Sequence, residues 1–207
     1  MDVPFSVLPA FLLTCVLIEA TPGPNMTYLA LLSLSRGRRA GMAATAGVAL
    51  GLLIMGMAVV WGAGPFIMGS PSIYGTLQGA GFLYLLWLAW DAWKIPARAQ
   101  GRNITPDDYD RVFFLRGLIT NILNPKAAIF YVAILPGYAG NTGHPAQTLL
   151  VMSLIYVVVA TIVHILIVAM ASAYTVHENT LANVKTRAFF AASLILTAFW
   201  FLYSTNR

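Results

Sequence analysis

Six apolar stretches, each a candidate to cross a lipid bilayer, occupy almost the whole sequence and limit what it can fold into. They run from Phe5 to Leu34, Gly41 to Gly64, Ile73 to Trp93, Val112 to Leu135, Thr148 to Ala173 and Ala188 to Tyr203. A hydrocarbon core of about 30 Å takes about 20 apolar residues of helix to span, and a helix satisfies its own backbone hydrogen bonds where water cannot. The expectation is an all-α integral membrane protein with six transmembrane helices, a single domain over residues 1–207. The longest polar stretch, Lys94 to Arg111, is too short for a soluble domain. The chain is 59% hydrophobic and 9% charged, far from the mix of a soluble fold.

The basic residues give an orientation. Arg36, Arg38 and Arg39 follow the first stretch, Lys94, Arg98, Arg102, Arg111 and Arg116 lie around the third connection, and Lys185 and Arg187 follow the fifth stretch. Alternation of six spans puts all of these on one face. The opposite connections, "GPFIMGSPS" and "GYAGNTGHPAQ", carry no Lys or Arg, and Arg207 stands at the C-terminus. By the positive-inside rule the basic face is cytoplasmic and both termini face outward. The net charge of +5 thus meets lipid headgroups, and no nucleic-acid partner is expected. Trp87, Trp90 and Trp93, with Trp61 and Trp200, suit interfacial anchoring. Cys15, the one cysteine, permits no disulfide and reads as packing. "MDVPFSV" lacks the basic start of a signal peptide, so the first stretch is expected to be retained.

The first and fourth stretches are interrupted by proline beside asparagine, "TPGPN" at 21–25 and "LNPKA" at 123–127. The breaks lie about half a chain apart, and each heads a group of three spans. Three is odd, so the second group enters the membrane from the other side. That is the signature of an inverted-repeat transporter, with halves about 1–103 and 104–207, whose paired breaks mark the substrate site. At about 1.5 Å per residue, Asn25 and Asn124 fall roughly 12 to 17 Å from the basic face, near mid-bilayer.

The breaks supply chemistry. Pro22 and Pro24 remove backbone donors and Gly23 permits irregular backbone. Asn25 is suited to cap a helix restarting at Met26, and Asn124 followed by Pro125 is a helix-start pair. Two helix N-termini aimed at the membrane centre favour an anion such as a carboxylate. Lys126 adds a full positive charge there. Glu19 is the one acid deep in a span, and buried charges in membranes pair or line polar cavities. The two could form a structural ion pair; alternatively they bind a zwitterion, with Lys126 near its carboxylate and Glu19 near its ammonium or near a coupled proton. His164 is a third intramembrane titratable group and, with Glu19, a candidate proton relay. Gln78, Asn121 and Thr161 read as interhelical hydrogen-bonding groups, and Asp91 as an interfacial partner of Lys94. Ala43, Gly47 and Gly51, and likewise Gly75 and Gly79, recur at the four-residue spacing that lets helices approach closely.

"TPGPN", "SRGRRAG", "AATAGVALG", "GFLYLLWLAWDAWK" and "GLITNILNPKAAIFYVAILPGY", in this order, resemble the LysE/RhtB family of amino-acid exporters over nearly the whole chain. The resemblance implies a secondary exporter of amino acids or related small metabolites, driven by the proton gradient or membrane potential. It also implies a bacterial inner-membrane location. Its motifs match Pro22, Gly23, Pro24 and Asn25, then Asn124, Pro125 and Lys126. Two positions depart from the family: Pro136-Gly137-Tyr138 stands where a Pro-Gln-Phe-like ending is usual, and Leu52 where a polar residue is frequent.

Other classes fit less well. An exporter of metal or other inorganic ions would want converging carboxylates, histidines or thiolates, and the spans offer Glu19, His164 and Cys15. No enzyme signature is present, so no catalytic residue, metal or cofactor is expected. A structural or assembly subunit should lack Glu19 and Lys126. The expected partners are a small-molecule cargo and the lipid bilayer, with self-association left open.

Overall fold

The computed structural model describes residues 7–21, 23–62, 70–93, 106–139, 144–173 and 184–205. Pro22, Lys94, Arg98, Arg102 and Arg207, and the side chains of Gln78, Asp91, Arg187 and Trp200, lie outside the described set. All described elements are helical: α1 (Leu8–Ala20), α2 (Pro24–Val60), α3 (Pro71–Trp93), α4 (Pro106–Ile122), α5 (Pro125–Ile129), α6 (Leu135–Ala139), α7 (Pro145–Ala173) and α8 (Val184–Thr205). One π turn, Phe130–Ile134, joins α5 to α6.

Proline opens α2 and α5, where the missing N–H is no loss. At 37 residues α2 would be about 55 Å long if straight, far more than a bilayer core. It is instead broken at Gly37, whose φ of 81° is a conformation that L side chains avoid. The sequence suggests a loop over "SRGRRA"; the reversal is concentrated in this one glycine, and its neighbours stay helical. Among the described residues, α2 and α7 are each long and apolar enough to cross a membrane. Asp110–Ile122 with Lys126–Tyr138 forms a third such stretch, bent by 51°. Leu8–Ala20 and Gly79–Trp90 are shorter apolar helices.

Packing uses glycine where backbones must touch. A Cβ on Gly47 would lie 2.8 Å from the Leu118 nitrogen and closer still to the Phe114 carbonyl oxygen. One on Gly117 would lie 2.9 Å from the Ala44 Cα. The α2–α4 crossing is therefore made by mutual backbone contact, the close approach that small residues permit. Gly51 admits the Asn121 side chain, whose Nδ2 would be 2.7 Å from an added Cβ. Gly75 and Gly79, with the same spacing, meet nothing within 4 Å among the described residues, so that pair mediates no packing there. Spacing alone does not reveal which face a neighbour covers.

The main helix pairings are α2 with α4 and α7, α3 with α8, and α1 with α7. One buried cluster includes Phe11, Cys15, Leu52, Phe130, Tyr131, Met152 and Tyr156, and another joins Leu29, Ala44, Leu88, Phe113, Val168 and Leu194. Leu154, Val158, Ile162, Leu166 and Met170 form an exposed apolar stripe on α7, a face suited to hydrocarbon. Trp61, Trp87, Trp90 and Trp93 are exposed, and the Arg116 guanidinium lies 5.0 Å above the Trp87 ring.

Candidate functional site

The two interruptions meet. α1 ends at Ala20, and Thr21 turns extended with its N–H bonded back to the Leu17 and Ile18 carbonyls. Gly23 then caps α2 with extended backbone, and no side chain assists. The restart is thus at Pro24, not Met26, and Asn25 is not the cap. It lies within the first turn, and its Nδ2 donates across to Asn121 Oδ1 at 2.8 Å, both side chains being buried. The second break behaves as the sequence suggests: Asn124 is the cap, its Oδ1 accepting from the Lys126 N–H at 3.0 Å.

Glu19 is 3% exposed at the end of α1. The Tyr156 hydroxyl donates to its Oε1 at 2.7 Å. His164 Nε2 lies 3.3 Å from Oε2, without the alignment of a hydrogen bond. Lys126 Nζ is 3.8 Å from the same oxygen, a loose ion pair, and it donates instead to the Thr21 carbonyl at 2.8 Å. The sequence places this cation beside the positive end of its own helix. Its stem carries it away from that end to the carbonyl end of α1, where a cation is favoured. An uncompensated carboxylate at this burial would be costly, so three partners from two other segments hold it.

Glu19, Gly23, Asn25, Met26, Asn124, Lys126, Ala127 and Tyr156 line a cavity of about 10 Å³, room for one water at most. Beside it, the Phe130 ring stacks on Tyr156 with centroids 3.6 Å apart, and Tyr131 meets Tyr156 edge-on at 5.5 Å. Thr14 Oγ1 and the Tyr138 hydroxyl share a hydrogen bond of 2.6 Å. The π turn that carries Phe130 and Tyr131 is a local widening of the helix, of a kind frequent at functional sites.

Of the sequence candidates, Glu19, Gly23, Asn25, Asn124 and Lys126 come together around this cavity. Pro24 and Pro125 supply the helix starts, Pro22 falls outside the described residues, and His164 joins through Glu19. Asn121 is an interhelical hydrogen-bonding group, bonded to Asn25, whereas Thr161 Oγ1 has no hydrogen-bond partner among the described residues. The residue missed is Tyr156. It precedes His164 by eight residues on α7, two helical turns, so both share one face; that spacing is a signal the sequence contains. Among the described residues no three His, Cys, Asp or Glu side chains converge as metal ligands.

A polar, charge-bearing cavity between interrupted apolar helices defines a helical membrane protein built around a polar interior. The chain belongs to the LysE type translocator family, whose pattern it matches over residues 16–205. It is 34% identical to the uncharacterized membrane protein YahN of Escherichia coli (strain K12), over 55% of this chain and 52% of that protein. It is 29% identical to the homoserine/homoserine lactone efflux protein of Salmonella typhimurium, over 62% of this chain and 63% of that one. It is also 29% identical to the leucine efflux protein of Enterobacter sp. (strain 638), over 67% and 70% of the two chains. The chain is thus matched to about half of the first relative and to less than two thirds of the second. No solved structure gives a significant match.

Proposed function

We propose that this chain is a secondary exporter of amino acids or closely related small metabolites, with its cargo bound at the Glu19–Lys126 cavity. The observation that carries this reading is the convergence of both helix breaks on one small space holding a buried acid and a base. An ion pair kept only for packing would be expected to close tightly; here the charges stand 3.8 Å apart and Lys126 spends its good hydrogen bond on Thr21. A zwitterion offers a charge to each. Relatives named for leucine and homoserine efflux support the cargo class.

In this reading the six apolar stretches all span the membrane, with both termini outside, as one transporter domain of two inverted three-helix halves, 1–103 and 104–207. The pairing of helices supports it. The first half's broken span packs on a helix of the second half, α1 on α7, and the second half's broken span packs on a helix of the first, α4 on α2. The third members of each half, α3 and α8, pair with one another. These pairings are the ones that a two-fold exchange of halves would interconvert, which supports the reading. A cavity fit for one water must open before cargo enters, which suits alternating access between the halves. Glu19 and His164 form the expected proton path, and the net charge of a cargo would couple transport to membrane potential.

The test is efflux from cells loaded with individual dipeptides, followed amino acid by amino acid. Lys126→Met should abolish efflux of the responding solute by a protein that still inserts. If Glu19 carries the coupled proton as well as facing the cargo, Glu19→Gln should stop accumulation driven by a pH gradient in inverted vesicles and weaken counterflow without abolishing it. Full transport by Lys126→Met removes the cavity from the mechanism.

A further inference from the structure

An ammonium carries three protons and wants three acceptors. Among the described residues Lys126 Nζ has one good acceptor, the Thr21 carbonyl at 2.8 Å; Glu19 Oε2 stands off at 3.8 Å and the Met26 sulfur at 4.0 Å. Asn25, which also lines the cavity, is 5% exposed, and its Oδ1 is buried with no hydrogen-bond partner among the described residues. Two acceptors are thus left underused around a tethered cation. The stem that tethers it runs past Gly23, where an added Cβ would lie 3.1 Å from Lys126 Cδ. Its geometry is set by where the chain enters the cavity, and not by what would serve the ammonium best. A primary ammonium on a separate molecule has no such tether and can settle nearer Glu19 and Asn25.

We propose that the Lys126 side chain is a built-in occupant of a primary-ammonium subsite formed by the Thr21 carbonyl, the Glu19 carboxylate and Asn25 Oδ1, and that cargo loads by displacing it. This rests on the exporter reading for its purpose but not for its chemistry. The side chain is suited to leave: it is 15% exposed and sits on a flexible four-carbon stem. Once displaced it can follow the carboxylate of a zwitterion. Cargo lacking a protonated primary amine would leave Lys126 in place, so the cavity would select amines and discriminate against neutral and purely anionic solutes.

The experiment measures binding of n-butylammonium to the full chain in lipid nanodiscs. Tetramethylammonium serves as a cation that cannot donate a hydrogen bond. Removing the internal cation with Lys126→Met should tighten n-butylammonium binding at least about tenfold, the lower end of what one hydrogen bond to a charged group contributes once its acceptors are freed, whereas tetramethylammonium gains only the smaller relief of charge repulsion. Lys126→Arg should keep the wild-type affinity, and adding Glu19→Gln to Lys126→Met should reverse the gain. Lys126→Gln replaces Lys126→Met if the latter does not insert. Equal affinity in wild type and Lys126→Met, a gain that survives Glu19→Gln, or an equal gain for tetramethylammonium overturns the subsite. The two readings fail separately: lost efflux with unchanged amine affinity leaves the exporter and removes the subsite. Raised amine affinity with unimpaired efflux does the reverse.

Discussion

Tyr156→Phe removes one hydroxyl and leaves the ring on Phe130, so its effect isolates the bond to Glu19. A net contribution of about 1.5 to 3 kcal/mol is usual for a hydrogen bond to a charged group, whereas neutral bonds between membrane helices average about 0.6 kcal/mol. Glu19 belongs with the former, because it is 3% exposed and Tyr156 is its one aligned side-chain donor among the described residues; His164 and Lys126 stand off at 3.3 and 3.8 Å. The expected cost of Tyr156→Phe is therefore about 2 kcal/mol. In a Glu19→Gln background the acceptor survives without its charge, and the same substitution should cost about 0.6 kcal/mol. The double-mutant cycle then gives a coupling of about 1.4 kcal/mol, well outside the error of about 0.3 to 0.5 kcal/mol expected of independent sites. It is read from reversible unfolding of the four proteins in mixed micelles titrated with a denaturing detergent. A coupling inside that error would refute the argument, since Tyr156 would then not be holding a charged carboxylate.

Three other substitutions probe the frame around the site. Gly117→Ala should destabilise by about 1 to 3 kcal/mol, because its methyl meets the Ala44 backbone; Gly75→Ala, facing nothing within 4 Å among the described residues, should stay within about 0.5 kcal/mol of wild type. The same detergent unfolding separates the two. Gly37→Ala forces an L side chain to φ near 81°, and about 1 to 2 kcal/mol should appear as lost stability. Asn124→Ala removes the cap of α5 and should cost about 1 kcal/mol, with Asn124→Ser recovering most of it.

Some of the site was legible because it is written locally. Proline at a helix start and asparagine before it act through the backbone of their own segment, so "LNPKA" announced the second restart together with its cap. The same logic misplaced Asn25: Pro24 already begins α2, and the amide is drawn to Asn121, about a hundred residues away, by a bond no local pattern encodes. The exposure of Trp61, Trp87, Trp90 and Trp93 and of the apolar stripe of α7 needs no particular partner to account for it, since a bilayer sorts residues by polarity.

The sequence by itself determined that the chain is helical and suited to a membrane, that two helices break, and that an acid and a base lie beside the breaks. Each of these follows from short-range physics: hydropathy, the missing N–H of proline, and the cost of charge in hydrocarbon. Tertiary structure alone decided that the two breaks share one cavity, that Tyr156 is the donor to Glu19, and that Lys126 reaches the end of α1 instead of closing on the acid. Those outcomes depend on how closely helices approach. That is fixed by backbone contacts such as Gly47 against Phe114, and it exists only once the helices have packed.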